Sequence, residues 1–577
     1  MPDLPKWDVH HHIVPDFYVE EMRRQGVTEV TSLQWPKWSP RSSLRAMDKF
    51  NIEKAFLSVS APGIFVDDAA AARSLSRRCN EFMATMASDH SGRYGAFAVL
   101  PLPDVDAAIE ETRFALDVLK IDGLSMLSNV AGIHLGDARL RELFAELDRR
   151  EATVYVHPNG ADHRADHRLL NLLYWWQNDT TRSIVEFVAA GYHKDYPNIR
   201  WIFAHGGGVL PVAYRAIVRA LASSNPDVEA ELLQWQQNVF VDTASKAYDE
   251  QIPALVGLSG PGHVLFGSDL GWAPRSAVST LIKSWNAAET KFGLGTAELA
   301  AIYRGNAQRL FSHQPAPVTA TPKVVLSHEN SHGVYERHCL PQATADQLHS
   351  LHPGVDLSGL DIWDEERERA LAQNRRAMLS LHIPALWQLP PHHVAPILHT
   401  YNQEVAGIGS RNPEMFSVFG AIDIRDPERA AGEIDHCLDT LALDGICLST
   451  RICDAPFTDL LDERLCRKLA ERRAVVMIHP QDATGLPLAN ENYLDSVAFM
   501  AKAFYLEAYR RELHQVRFVL THTCETLPYL AEPLNILYYM TAHRRRIAPF
   551  VLDNFITHRP KGYRALMNTT ATVELCP

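Results

Sequence analysis

No apolar run of about 18 residues or more occurs anywhere in the 577-residue sequence, which excludes a membrane-spanning helix on pattern grounds. The opening "MPDLPKWD" has no basic segment followed by an apolar one, so the chain reads as cytoplasmic rather than exported. Cysteine is scarce: eight residues, no CxxC pair, and seven of them after residue 330. That excludes a disulfide framework and a thiolate zinc site, and leaves reduced, mostly buried thiols. Basic clusters are short, the longest being "HRRRI" near residue 545, and the net charge is −13. Neither nucleic acid nor an anionic membrane finds an electrostatic footprint here. What remains, 46% hydrophobic and 22% charged, is the composition of a globular protein long enough for two large domains, and it points to small-molecule chemistry.

The sequence is rich in internal similarity. "FAVLPLPD" resembles "FGAIDIRD", "LKIDGLSMLS" resembles "LALDGICLST", and "ATVYVHP" resembles "AVVMIHP", all at one offset of 322 residues (97 to 419, 158 to 480). "IRWIFAHGGGVLP" matches "VRFVLTHTCETLP" at an offset of 317 (205 to 522). The chain reads as a diverged tandem duplication, with a first domain at 1–312 and a second at 324–577. Residues 313–323, within "SHQPAPVTATPK", suit an extended linker.

In the first half, eight β-rich apolar runs alternate with stretches of helical spacing: "KWDVH", "KAFLSVS", "YGAFAVLP", "GLSMLS", "TVYVHP", "IRWIFAH", "VFVDTA" and "HVLFGSD". Eight such units in about 310 residues predict an α/β fold of (β/α)8 type, whose strands are buried on both faces. The whole chain is then two tandem TIM-like barrels, the second degenerate. A doubly wound open sheet would not require eight units, and no G-x-G-x-x-G follows the first run.

A barrel places its chemistry at the C-terminal ends of its strands. Strand one ends in His10, His11 and His12, strand five in His157, strand six in His205 and strand eight in Asp269. Alternation lets His10 and His12 converge while His11 faces outward. Imidazole and carboxylate suit Zn²⁺ or Mn²⁺, and three His with one Asp is catalytic stoichiometry. Taken singly, His157 fits a packing residue and Asp269 a helix N-cap. Together, each at the correct end of a different strand, they make a site.

"DVHHHIVP", "YVHP", "FAHGGGVLP" and "LFGSDLGW" resemble the metal-dependent amidohydrolase superfamily, in particular its branch of aromatic-acid decarboxylases related to aminocarboxymuconate semialdehyde decarboxylase. "KAFLSVSAPG", "FAVLPLPDVDAAIEE" and "VFVDTA" resemble the 6-methylsalicylate decarboxylase type within it. The resemblance covers about residues 5 to 312. It implies His10, His12, His157 and Asp269 as metal ligands and His205 as the catalytic histidine beside the metal. It also implies a homodimer, since relatives often share an Arg across subunits; they place it eleven residues after the strand-six His, whereas Arg215 comes at ten. Leu270, Gly271 and Trp272 follow the last-strand Asp where the family writes an aromatic or proline pair. No middle-strand Lys suggests a carbamylated bridge, so one divalent metal per chain is expected, Zn²⁺ before Mn²⁺.

The expected activity is nonoxidative decarboxylation of a small aromatic or phenolic acid, with the ring carbon protonated by His205 or Asp269. Arg41 is a candidate to attract the anionic substrate, with Trp35 and Trp38 as apolar wall and Trp272 and Arg215 as further contacts. Arg45 reads as the solvent face of a helix that starts in "SPRSSLRAMDKF". Two other functions use the same ligands: hydrolysis of a lactone or amide, with Asp269 taking a proton from metal-bound water, and a metal-binding scaffold without turnover. In the second half, aligning "VVLSHENSHGVY" with "WDVHHHIVPDFY" places Ser327 and Glu329 at the stations of His10 and His12, with His328 outward. His479 and His522 persist there, while "TVELCP" offers no counterpart of Asp269, so that half is expected to lack a complete metal site.

Overall fold

In a computed structural model of the chain, all eight apolar runs of the first half are strands. The structure describes residues 4–30, 33–159, 176–222, 225–247, 251–312, 334–352, 362–372, 376–381, 383–449, 451–452, 455–479, 513–520, 555–556 and 573–575. They fall into two compact units, Met1–Val324 and Val325–Pro577.

In the first unit the strands are β1 (Lys6–His12), β2 (Ile52–Ser58), β3 (Tyr94–Val99), β4 (Gly123–Leu127), β5 (Thr153–His157), β6 (Arg200–Phe203), β7 (Val239–Asp242) and β8 (Val264–Leu265). Each pairs in parallel with the next in sequence. The first strand also meets the end of the last: Val9 N donates to Phe266 O at 3.0 Å, Asp269 N to His10 O at 2.9 Å, and His12 N to Leu270 O at 2.7 Å. The sheet is thereby joined at both edges, as a barrel requires.

Phe56, Phe97, Tyr155, Ile202, Phe240 and Leu265 fill the interior together with Val9. Phe97 stacks on Phe56 at 5.5 Å and on Tyr155 at 5.3 Å, so the mouth rests on a packed floor rather than a pore. The β1–β2 register slips between Asp8 and His11, the mark of a bulge. Below it Val9 belongs to the interior; beyond it the inward positions are His10 and His12, and Asp8 and His11 share the outer face.

Helices cover the outside. Asp104 caps α1 (Val105–Arg113) by accepting from Ala107 N at 3.0 Å, as its short acceptor side chain suits it to do. Across to α2 (Arg141–Arg149), Glu146 accepts from Arg113, Arg149 and Arg150 at 3.2, 2.9 and 2.7 Å. Hydrogen bonds from Arg149, with burial opposing, hold its carboxyl down at about 2 against an ordinary 4.5. A lowered carboxylate pKa contributes stability above the unfolded value and loses it as pH falls through the folded one. Glu146→Gln should therefore cost about 1 kcal/mol or less at pH 7, screening by the exposed arginines included, and the gap from wild type should close between pH 4.5 and 2. Denaturant midpoints across that range measure it; a gap that widens on acidification would rule out this cluster as the source.

Among the described residues the second unit has a parallel sheet of eight strands: β9 (Val334–His338), β10 (Arg376–Ser380), β11 (Phe416–Ala421), β12 (Gly445–Ser449), β13 (Val475–His479), β14 (Arg517–Leu520), β15 (Phe555–Ile556) and β16 (Val573–Leu575). Their order is β15-β14-β13-β12-β11-β10-β9-β16. Among the described residues its first strand is "VYERH", and the apolar "VVLS" lies outside them. Register decides the equivalence: His338 stands opposite Ser380 as His12 stands opposite Ser58. Glu336 and His338 therefore hold the stations of His10 and His12, while Ser327, His328, Glu329 and His522 lie outside the described residues, as does the linker 313–323. Among the described residues no helix is long and apolar enough to cross a membrane.

Candidate active site

At the C-terminal mouth of the first barrel the structure brings together His10, His12, His157, His205 and Asp269. All four imidazoles are buried. The Nε2 atoms of His10 and His12 are 2.9 Å apart, and each lies 3.4 Å from Asp269 Oδ1. The His157 ring centre is 5.3 and 5.0 Å from those of His10 and His12, and that of His205 is 4.7 Å from His10.

Each imidazole is oriented through its other nitrogen. His10 Nδ1 pairs with Asp242 Oδ2 at 2.7 Å, His12 Nδ1 with Ser58 Oγ at 3.0 Å, His157 Nδ1 with the Pro158 carbonyl at 2.7 Å, and His205 Nδ1 with the Ala244 carbonyl at 3.3 Å. This leaves Nε2 as the common inward atom, the arrangement typical of metal-ligating histidines. His205 Nε2 is buried without a hydrogen-bond partner.

The electrostatics ask for a cation. Burial disfavours charge on His10, yet Asp242 and Asp269 outweigh it and raise its pKa to about 10. Burial lowers His12, and lowers His157 further with help from its imidazole neighbours. Burial, then His10, pushes His205 down to about 4. For Asp269 burial works upward, but His10 and His12 overcome it and hold the carboxyl well below its usual range. A buried anion among neutral rings, balanced by one imidazolium, is a donor set that a divalent ion fits. The triads His10, His12, His157 and His10, His205, Asp269 each bring one donor atom per residue within 4.8 Å of the others.

Backbone strain accompanies the site. His205 and Asp269 have φ of +52° and +61°, a region non-glycine residues rarely adopt. The three glycines after His205 do not open space towards a ligand. A Cβ on Gly208 would lie 1.9 Å from the Gln177 carbonyl, so this residue lets the turn pack on α3 (Trp176–Ala189).

The remaining candidates are placed unevenly. Arg41 and Arg45 are exposed on the helix Pro40–Lys49, whose start is the Ser39–Ser42 capping box. Trp38 is half-buried with its ring 6.1 Å from Phe82. Trp272 follows the Asp269 turn, 5.6 Å from the buried Trp35. Arg215 is on the helix Leu210–Ala222, and its side chain lies outside the described ones.

Four residues escaped the sequence reading. Asp242 closes β7 and accepts from His205 N and Ala244 N, each at 2.9 Å, besides His10; a carboxylate ending an apolar strand was its visible signal. Trp176, 5.5 Å from His157 and 6.2 Å from His205, gave no such signal. Asp8 accepts from His11 Nδ1 at 3.0 Å and from Ser268 N at 2.9 Å, and so joins β1 to the end of β8. Lys246 is fully buried, donates to Gln177 Oε1 at 2.6 Å, and is pushed down to about 7 by that burial. Asp242→Asn keeps the shape but offers His10 Nδ1 an amide donor, and so favours the wrong tautomer. Metal affinity should fall about 10- to 100-fold in a competition titration with a chromogenic chelator. Unchanged affinity would remove Asp242 from the support of the site.

The sequence profile of the amidohydrolase family matches residues 7–312 and 362–538. The chain belongs to that family. This amidohydrolase is 33% identical to "Decarboxylase yanB" of Aspergillus niger, over 54% of the present chain and 89% of that protein. It is 33% identical to a 6-methylsalicylic acid decarboxylase of Aspergillus aculeatus over 47% of its own length and 86% of the relative. With a gamma-resorcylate decarboxylase of Rhodococcus jostii the identity is 26%, over 46% and 86% of the two chains.

Proposed function

We propose that the first unit is a metal-dependent nonoxidative decarboxylase, a carboxy-lyase acting on a small aromatic acid with a phenolic hydroxyl, of the 6-methylsalicylate kind. The observation that carries the reading is the convergence of three imidazoles, each tied through Nδ1, with Asp269 beside a fourth imidazole whose Nε2 has no partner. The relatives named as decarboxylases support it.

His10, His12, His157 and Asp269 would hold one divalent ion, Zn²⁺ before Mn²⁺, which would orient the acid by its carboxylate and neighbouring hydroxyl and draw charge from the ring. Trp176 provides an apolar wall beside His157 and His205. Loss of CO₂ leaves an electron pair on the ring carbon, and one proton must arrive there. Asp269 is assigned to the ion, and His10 and His12 hold it below its usual range, which speaks against it as the carrier of that proton. His205, at about 4, is nearer. An anionic substrate beside it raises its proton affinity, so His205 takes a proton as substrate enters and passes it from Nε2 to the ring carbon.

The test is to supply the full chain with Zn²⁺ or Mn²⁺ and assay a panel of hydroxybenzoates for CO₂ and the matching phenol. Ring opening of lactones or amides with no CO₂ from any acid would replace this reading with hydrolysis; no turnover of either would leave a scaffold. We further propose that the chain is a homodimer through its first unit, which light scattering at micromolar concentration measures. The second unit we read as a barrel of the same plan without the complete metal site at its mouth.

A further inference from the structure

The two halves differ instructively in the helical layer beside β3 and its counterpart β11. In the first, Glu111 lies on α1. It accepts from Arg77 Nη2 and from Asn80 Nδ2, both at 2.8 Å, and the Arg77 guanidinium sits 3.6 Å from the centre of the Phe114 ring. Asn80 also bonds both ways with the backbone of Val99. At the repeat offset of 322 (111 to 433) the second half keeps the frame: Glu433 on the helix Pro427–Asp435 accepts from Asn402 Nδ2 at 2.8 Å, and Asn402 bonds both ways with Ala421. The two flanking residues are exchanged. Arg77 becomes His399, on the helix Pro391–Arg411, and Phe114 becomes His436.

Either exchange alone has a packing explanation; the pair does not. His399 Nδ1 lies 3.1 Å from Glu433 Oε2, a weaker substitute for an arginine, while its Nε2 accepts from Gln403 at 3.1 Å. The His436 ring stacks on His399 at 4.6 Å and 25°, and its Nε2 is buried with no hydrogen-bond partner. Phenylalanine would fill the same volume without a stranded nitrogen, as the first half demonstrates. A buried imidazole nitrogen without a partner, beside a carboxylate and a second imidazole, calls for an occupant. The three residues each offer one donor atom within 4.8 Å of the others. Glu433 and His436 form the helical Glu-x-x-His spacing that presents two ligands on one side, and His399 supplies the third from the neighbouring helix.

We propose that His399, Glu433 and His436 bind a divalent transition-metal ion, Zn²⁺ by ligand type, distinct from the ion at the mouth of the first barrel. Two nitrogens and one carboxylate oxygen are a zinc donor set, and water completes four-coordination. The ion replaces the proton shared between His399 Nδ1 and Glu433 Oε2 and takes His436 Nε2 as its third ligand. It ties the helix Pro391–Arg411 to the helix Pro427–Asp435. This adds an ion to the one per chain expected from the sequence, and it does not depend on the catalytic reading.

The experiment compares the full chain with two variants: His399→Arg combined with His436→Phe, which reinstates the first half's own residues, and His399→Gln at a half-exposed position. After chelator treatment each is titrated with Zn²⁺, bound metal is counted by elemental analysis, and thermal midpoints are followed. The wild-type chain should bind one more equivalent than the double variant and gain thermal stability with it. His399→Gln should weaken that equivalent by more than about tenfold, since losing even a residue that merely supports a ligand costs that much. Equal stoichiometry in the wild-type chain and the double variant, or equal affinity for the extra equivalent in the wild-type chain and His399→Gln should the double variant fail to fold, overturns the proposal. Because the readout is zinc count rather than turnover, failure of the decarboxylase reading leaves it standing.

Discussion

Replacing His157 or Asp269 by alanine should remove the barrel ion and the decarboxylase activity together, because each change deletes one donor from a four-ligand set. Activity should fall to background, and bound metal should fall with it by at least about 100-fold in affinity, more than the loss of a supporting residue costs. His205→Ala should lose activity to a similar degree and keep most of its metal, since its imidazole is assigned to proton transfer rather than ligation. Metal analysis and CO₂ release on the same three preparations check this. Equal metal loss in all three would move His205 into the ligand set and leave the proton donor to be found elsewhere. His157 and His205 are buried, so added imidazole will not readily rescue their alanine variants.

The paired replacement His10→Ala with His12→Ala should abolish turnover, whereas His338→Ala with His479→Ala should leave it within about twofold. His338 and His479 are close geometric counterparts of His12 and His157, which makes the comparison severe. His338 Nδ1 lies 3.3 Å from Ser380 Oγ, and its ring is 4.9 Å from His479; in the first barrel the corresponding values are 3.0 Å, for His12 and Ser58, and 5.0 Å, for His12 and His157. What separates them is the station two residues earlier on the strand, held by Glu336 on β9 and by His10 on β1. Turnover that survives the first pair and dies with the second would exchange the roles of the two units. The second pair must first be shown to fold, by far-ultraviolet circular dichroism and an unchanged elution volume.

The first barrel was legible because parallel strands covered on both faces must be apolar throughout, so each stood out against amphipathic helices. Its site was legible for the converse reason: a histidine or aspartate ending an apolar strand contradicts its surroundings. Where those contrasts fade, the reading failed. "VYERH" is as polar as a loop and takes its identity from pairing with Arg376–Ser380, not from its own side chains; the apolar "VVLS" before it drew the alignment away. Trp176 reaches His157 from the start of α3, on a stretch where no polar residue interrupts an apolar run to mark it. Arg41 has the right charge and stands exposed on its helix, and a side chain's type says nothing of its direction. The Glu433 cluster could be seen only by comparing the halves, because "EIDH" by itself is an ordinary stretch of helix.

The slip in β1 lets two successive residues, Val9 and His10, both face inward. In a regular strand they would divide, one inside and one outside, and a shift of a single residue would exchange the two. Here the extra residue resets the phase just before His10, so the strand packs the core in one phase and serves the mouth in the other. His11 is left buried on the outer face, between Asp8 at 3.0 Å and Ser43 Oγ at 2.8 Å on the covering helix. The middle imidazole thus acts as a latch for the phase change. A designer who grafts the H-x-H pair onto an uninterrupted strand directly after an inward-facing valine turns both ligands outward.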